Sequence, residues 1–129
     1  MTPRIFIIDD DPDFLEIMTQ FLKKEQYETA VSSHPENIME DMQNFRPDLV
    51  ISDIMMPGVT GSFVYEEIRN QCTKTLPVII CSATSMKLKN VKDSLLDYCP
   101  KPVNFPTLKE ILIRLLGQTE EQEKDSHKP

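Results

Sequence analysis

The sequence predicts an α/β fold, a doubly wound parallel sheet with helices on both faces. Three observations carry this expectation. Short, unbroken apolar runs rich in Ile and Val recur along the chain, as strands buried on both faces require. Segments with apolar residues at helical spacing separate them. The two patterns alternate five times, which right-handed βα crossovers turn into a sheet covered on each side.

The elements follow in order. Ile5-Phe6-Ile7-Ile8 is the first buried strand. Phe14, Met18, Phe21 and Leu22 share one face of the first helix, with Asp11 placed to cap it, Pro12 in its first turn and Asp13 at the positive end of its dipole. "YETAVS" (27–32) alternates as a half-covered edge strand does. Ile38, Met42 and Phe45 mark the second helix, and "LVIS" (49–52) the third strand. "IMMPG" is turn chemistry centred on Pro57-Gly58. Val64 and Ile68 mark a third helix, and "PVIICS" (77–82) a fourth strand. Leu88, Val91 and Leu95 give only a sparse stripe, so the fourth helix is expected to be short and easily opened. "DYCPK" (97–101) is the fifth strand, which Pro100 confines to an edge. Leu108, Ile111, Leu112 and Leu115 complete the set as a fifth helix.

One domain is expected over residues 1–117, followed by a disordered polar tail or the start of a linker over 118–129, where apolar periodicity is lost. Acidic residues outnumber basic ones 21 to 14 and no Lys/Arg run exists, which argues against nucleic-acid binding. No apolar run approaches the roughly 20 residues of a membrane span, and no signal-peptide layout opens the chain; a cytoplasmic protein is expected. Cys72, Cys81 and Cys99 form no C-x-x-C pair and read as core filler. His34 and His127 stand in polar surroundings that offer no chemistry.

The carboxylates need a separate account. Capping explains Asp11 and Asp13, but Asp9 and Asp10 end a buried strand, and Asp53 ends another with no helix directly behind it. In open α/β sheets ligands sit outside the carboxyl ends of strands, where strand order reverses. If the first and third strands are neighbours, three carboxylates converge there and repel one another. A hard divalent cation resolves that conflict; an all-oxygen site favours magnesium, with manganese or calcium able to substitute. Ser82 and Lys101 close the fourth and fifth strands with a hydroxyl and an ammonium, both suited to phosphoryl oxygens.

As an ordered set these motifs resemble the receiver domains of two-component response regulators. The resemblance spans residues 4 to about 116 and is carried by Asp9-Asp10, "DIMMPGVTG" around Asp53, "PVIICSA" with Ser82, and Lys101-Pro102. It implies a flavodoxin-like sheet of order 2-1-3-4-5 with five helices. It implies Asp53 as phosphoacceptor, Asp10, Asp53 and the Met55 backbone carbonyl as direct metal ligands, and Asp9 acting through a metal-bound water. Ser82 and Lys101 would hold phosphoryl oxygens, and Ser82 with Tyr98 would form the switch. The implied donor is a phosphohistidine on a sensor histidine kinase or histidine phosphotransfer protein, and the implied role is phosphorelay signalling. The output partner is left open, with a homodimer through the face of the fourth and fifth helices among the choices.

Two rival functions remain at this point. A receiver-like module could signal by docking without phosphorylation, although no acid and no lysine of the set is missing. A haloacid-dehalogenase-like phosphatase would use Asp9 and Asp11 as its D-x-D motif, but Pro12-Asp13 depart from that pattern and no second acidic pair follows Lys101.

Overall fold

The computed structural model describes residues 2–33, 35–53, 55–56, 59–71, 76–83, 88 and 91–126. The sheet strands are β1 (Arg4–Ile8), β2 (Glu28–Ser32), β3 (Leu49–Ser52), β6 (Val78–Ser82) and β7 (Leu96–Pro100). A short antiparallel ribbon lies between, β4 (Met55–Met56) paired with β5 (Val59–Thr60). It flanks the Pro57-Gly58 turn expected from sequence; those two residues lie outside the described ones. The helices are α1 (Pro12–Lys24), α2 (Ile38–Phe45) after a 3-10 turn, α3 (Gly61–Gln71) and α4 (Phe105–Ser126).

All five sheet strands are parallel, in the order β2-β1-β3-β6-β7. Leaving out the ribbon, this is the expected order 2-1-3-4-5. The order reverses at β1 and β3, which pair from Ile5↔Leu49 to Ile8↔Ser52. Pro100 sits at the end of the edge strand β7, where its missing N–H costs no ladder bond.

Strand alternation divides the interior in two. Ile5, Ile7, Leu49, Ile51, Ile79, Cys81 and Cys99 face α1 and α4, against Met18, Leu22, Leu108 and Leu112. Phe6, Ile8, Val50, Val78 and Ile80 face α2 and α3, against Ile38, Met42, Val64 and Ile68. Each fully buried aliphatic side chain contributes about 1.5–3 kcal/mol. Cys81 and Cys99 are buried free thiols, the filler role expected of them; Cys72 lies outside the described residues.

Local chemistry fixes the helix ends. The Asp11 carboxylate accepts the Asp13 N–H at 3.0 Å, capping α1, and Pro12 opens the helix. Asn104 does the same for α4 by accepting from the Thr107 N–H at 3.0 Å. Past the ends of α1 and α2 the chain turns through left-handed, non-glycine residues, Gln26 (φ 68°) and Arg46 (φ 56°).

Two expectations meet a different local structure. The expected fourth helix is absent among the described residues. Residues 84–87 and 89–90 lie outside them, but 91–93 are irregular and 94–95 form a turn. Polar bonds hold that stretch instead: Asp93 accepts the Leu95 N–H at 2.9 Å, and the Tyr98 hydroxyl accepts the Leu88 N–H at 3.1 Å. Among the described residues there are therefore four α-helices, not five. The second is the polar tail expected from residue 118, where α4 continues past Gly117 to Ser126. Glu, Gln and Lys are good helix formers, and extending a helix already nucleated is far easier than starting one.

Candidate functional site

Three strand ends come together where strand order reverses. The Asp9 N–H donates to the Ser32 carbonyl at 3.2 Å, and the Asp53 N–H to the Ile8 carbonyl at 3.0 Å. Each bond carries the parallel ladder one residue past the strand, so both aspartates leave the sheet in fixed directions. Asp9, Asp10 and Asp53 each offer an oxygen, all within 4.8 Å of one another. Asp10 is exposed, Asp53 half-buried and Asp9 fully enclosed.

Lys101 enters from the end of β7. Its Nζ lies 2.7 Å from Asp9 Oδ2 and 3.6 Å from Asp53 Oδ2. Its backbone N–H donates to the Ser82 carbonyl at 2.8 Å, which ties the ends of β6 and β7 together. Asp9 also accepts the Asp11 N–H at 2.9 Å. Burial drives the Asp9 pKa up, and the bonds from Lys101 and Asp11 oppose this without cancelling it. Burial disfavours the Lys101 charge as well, but Asp9 and then Asp53 outweigh it and raise the lysine's pKa. The partners fare differently because the Asp9 side chain is 0% exposed and that of Lys101 19%. The lysine keeps part of its hydration while gaining the pair; Asp9 loses all of its own. A carboxylate so placed favours more positive charge beside it.

The donor set fits a hard divalent cation. Three carboxylates supply oxygen only, no histidine or cysteine of the described residues stands with them, and one open side admits waters to complete the shell. Met55, whose carbonyl is the fourth expected ligand, opens the ribbon just after Asp53, paired with Thr60.

The other expected residues take two positions. Ser82 closes β6, buried. Tyr98 does not join the acidic cluster. Its ring packs with the α2/α3 core, and its hydroxyl meets Leu88. On the same side, Asp93 receives the Tyr65 hydroxyl at 2.5 Å and Arg69 Nε at 2.9 Å, while Arg69 Nη1 donates to the Leu76 carbonyl at 2.5 Å. Burial disfavours the Asp93 charge, yet Tyr65, the Leu95 N–H and Arg69 together hold its pKa below the usual value. Sequence reasoning missed this network. Tyr65 and Arg69, four apart on a helix, share a face, but nothing local announces Asp93 as their partner. It also missed Phe14, read as one apolar residue of a helix stripe, whose ring centroid lies 4.2 Å from Lys101 Nζ.

Residues 5–113 match the family described as the response regulator receiver domain. The chain belongs to that family. Receivers of this kind take phosphate from histidine kinases. Over 99% of its length the receiver is 30% identical to the transcriptional regulatory protein BaeR of Escherichia coli, of which it covers 55%. It therefore spans about half the length of that relative. Among solved structures, a CheY-like receiver domain protein from Methanospirillum hungatei superposes with a TM-score of 0.84 at 24% identity, over 95% of this receiver and 99% of that chain. The response regulator TrrA of Thermotoga maritima, solved in complex with Mg2+-BeF, gives 0.78 at 33% identity, over 89% and 99% of the two chains. No helix among the described residues is long and apolar enough to cross a membrane.

Proposed function

We propose that the receiver accepts a phosphoryl group on Asp53 from a phosphohistidine of a sensor kinase or phosphotransfer protein and relays the change to an output partner. The observation that carries this reading is the gathering of Asp9, Asp10 and Asp53 oxygens within 4.8 Å, with the Lys101 ammonium 3.6 Å from Asp53. Asp53 is the nucleophile and needs no general base while ionised. Its oxygen forms a bond to phosphorus as the phosphorus–nitrogen bond breaks, and the electron pair returns to the imidazole. Asp10, Asp53 and the Met55 carbonyl would hold Mg2+ directly and Asp9 through a metal-bound water, with Mn2+ or Ca2+ able to substitute. The bound ion supplies charge neutralisation to the transferring group. Lys101 and Ser82 bind phosphoryl oxygens, and Ser82 with Tyr98 passes the change on. TrrA, a relative solved with Mg2+-BeF, supports the cation and the phosphoryl geometry.

Residues 1–117 make up this phosphoacceptor unit. The isolated chain, at net charge −7, binds no DNA and works in the cytoplasm. Its output partner is a protein, with a second receiver docked through the face of the expected fourth and fifth helices as one form.

Incubation with a small phosphodonor and Mg2+, read by intact mass and peptide mapping, tests the reading. One phosphoryl group on Asp53, lost completely in Asp53→Asn, is the expected result. A label on Asp9 would favour the phosphatase chemistry instead. No added mass in the wild-type protein would favour docking without phosphorylation.

A further inference from the structure

Among the described residues, the Lys101 ammonium meets two carboxylates and one uncharged group. Asp9 Oδ2 lies 2.7 Å and Asp53 Oδ2 3.6 Å from its Nζ. The third is the face of Phe14, 4.2 Å from Nζ to the ring centroid, well inside the roughly 6 Å within which a cation is attracted by an aromatic ring. Phe14 stands in the first turn of α1, on the segment that supplies Asp9 and Asp10. A helix N-terminus carries partial positive charge and repels an ammonium. The ring opposes that repulsion with an attractive surface where it meets the lysine. Phe14 is itself fixed, half-buried against the α1/α4 core.

The arrangement matters because the two kinds of partner respond differently to charge. A divalent cation held by Asp9 and Asp53 competes for the carboxylates that hold Lys101. The ring carries no charge to be neutralised and ligates nothing, so its hold on the lysine survives. We propose that Phe14 is a positioning residue for Lys101, its ring face holding the ammonium beside Asp53 when the carboxylates are engaged elsewhere. The inference deepens the phosphoryl-transfer reading and rests on it.

The test compares Phe14→Leu, which keeps apolar bulk and removes the ring, with Phe14→Tyr, which keeps the ring. In metal-free protein the Lys101 ε-methylene protons, assigned by their loss in Lys101→Ala, should resonate upfield of the other lysines. They should return to the common position in Phe14→Leu and stay upfield in Phe14→Tyr. With a small phosphodonor and Mg2+, Phe14→Leu should phosphorylate about three- to tenfold more slowly, the range a partly desolvated cation–π contact supports. Phe14→Tyr should restore most of the rate. Magnesium affinity by calorimetry should change less than about twofold, because Phe14 is no ligand; a general disturbance of the α1 start would weaken it through Asp9 and Asp10. In a Lys101→Ala background the Leu substitution should cost nothing further. An ordinary ε-methylene shift in the wild type, or equal slowing with and without Lys101, would overturn the proposal. Failure of the wild-type protein to phosphorylate would sink the phosphoryl-transfer reading itself, while the ring-current shift would still report on the contact.

Discussion

The two faces of the sheet are built on different principles. Between the sheet and α1 and α4 the core is apolar, from Met18 and Leu22 to Leu108, Leu112 and Leu115, and its border ion pairs, Lys109 with Glu25 and Arg114 with Asp97, stand partly in solvent. Between the sheet and α2 and α3 there is also an apolar core. Its border along β7, however, is held by the Asp93, Arg69 and Tyr65 network and by the Tyr98 hydroxyl on Leu88. Apolar burial is non-directional and resists small shifts through packing density. A hydrogen-bonded tie is directional and is lost or kept as a unit. The first face suits a platform that must not move under Asp9 and Lys101. The second suits a border that takes one of two arrangements when a neighbouring strand end changes.

The largest effect should come from the apolar face. Leu112→Ala removes a side chain with no exposure and should cost about 2–5 kcal/mol of global stability, read by urea denaturation. A loss below about 1 kcal/mol would mean that this face is loosely packed and would erase the contrast. Asp93→Asn should come next, at about 1–3 kcal/mol, with a pH dependence that leucine cannot show. Because the folded pKa of Asp93 lies below its usual 3.8, its contribution is complete above that value and is lost as pH falls through the folded pKa. The gap between wild type and Asp93→Asn should therefore be full at pH 7 and shrink below about pH 4; a gap constant between pH 7 and pH 3 would show that charge plays no part. Tyr98→Phe should be the smallest, about 0.5–1.5 kcal/mol. Its mark should be local, faster amide exchange at Leu88 with protection in α1 and α4 unchanged. Exchange quickened evenly across the domain would show that the border is no separate unit.

Much of this molecule was legible from its residues. The strands were readable because those buried on both faces show continuous apolar runs, and "LVIS" matches its observed bounds. The acidic cluster was readable because Asp9, Asp10 and Asp53 exceed what capping and turns require. What escaped was long-range or neutral in appearance. Arg69 and Asp93 are far apart in sequence and meet through the fold alone. Phe14 looks like any apolar helix residue until Lys101 arrives over its ring. Among the described residues no fourth helix forms at Leu88, Val91 and Leu95, which serve both cores at once, Leu95 on one side and Leu88 and Val91 on the other. The helix α4 runs on past Gly117 because loss of an apolar stripe signals loss of burial, not loss of helix.

The left-handed turns after α1 and α2 have a practical consequence. Gln26 and Arg46 occupy backbone conformations that glycine adopts freely, and both side chains are exposed. A left-handed conformation costs a non-glycine residue roughly 1–2 kcal/mol, partly offset by the greater freedom glycine has in the unfolded chain. Gln26→Gly and Arg46→Gly lie well away from Asp9, Asp53 and Lys101 in the chain, at turns that serve only to reverse its direction. They offer a reinforced scaffold for laboratory work, one in which damaging substitutions at the strand ends can be expressed and purified without the folding losses that would otherwise obscure their chemistry.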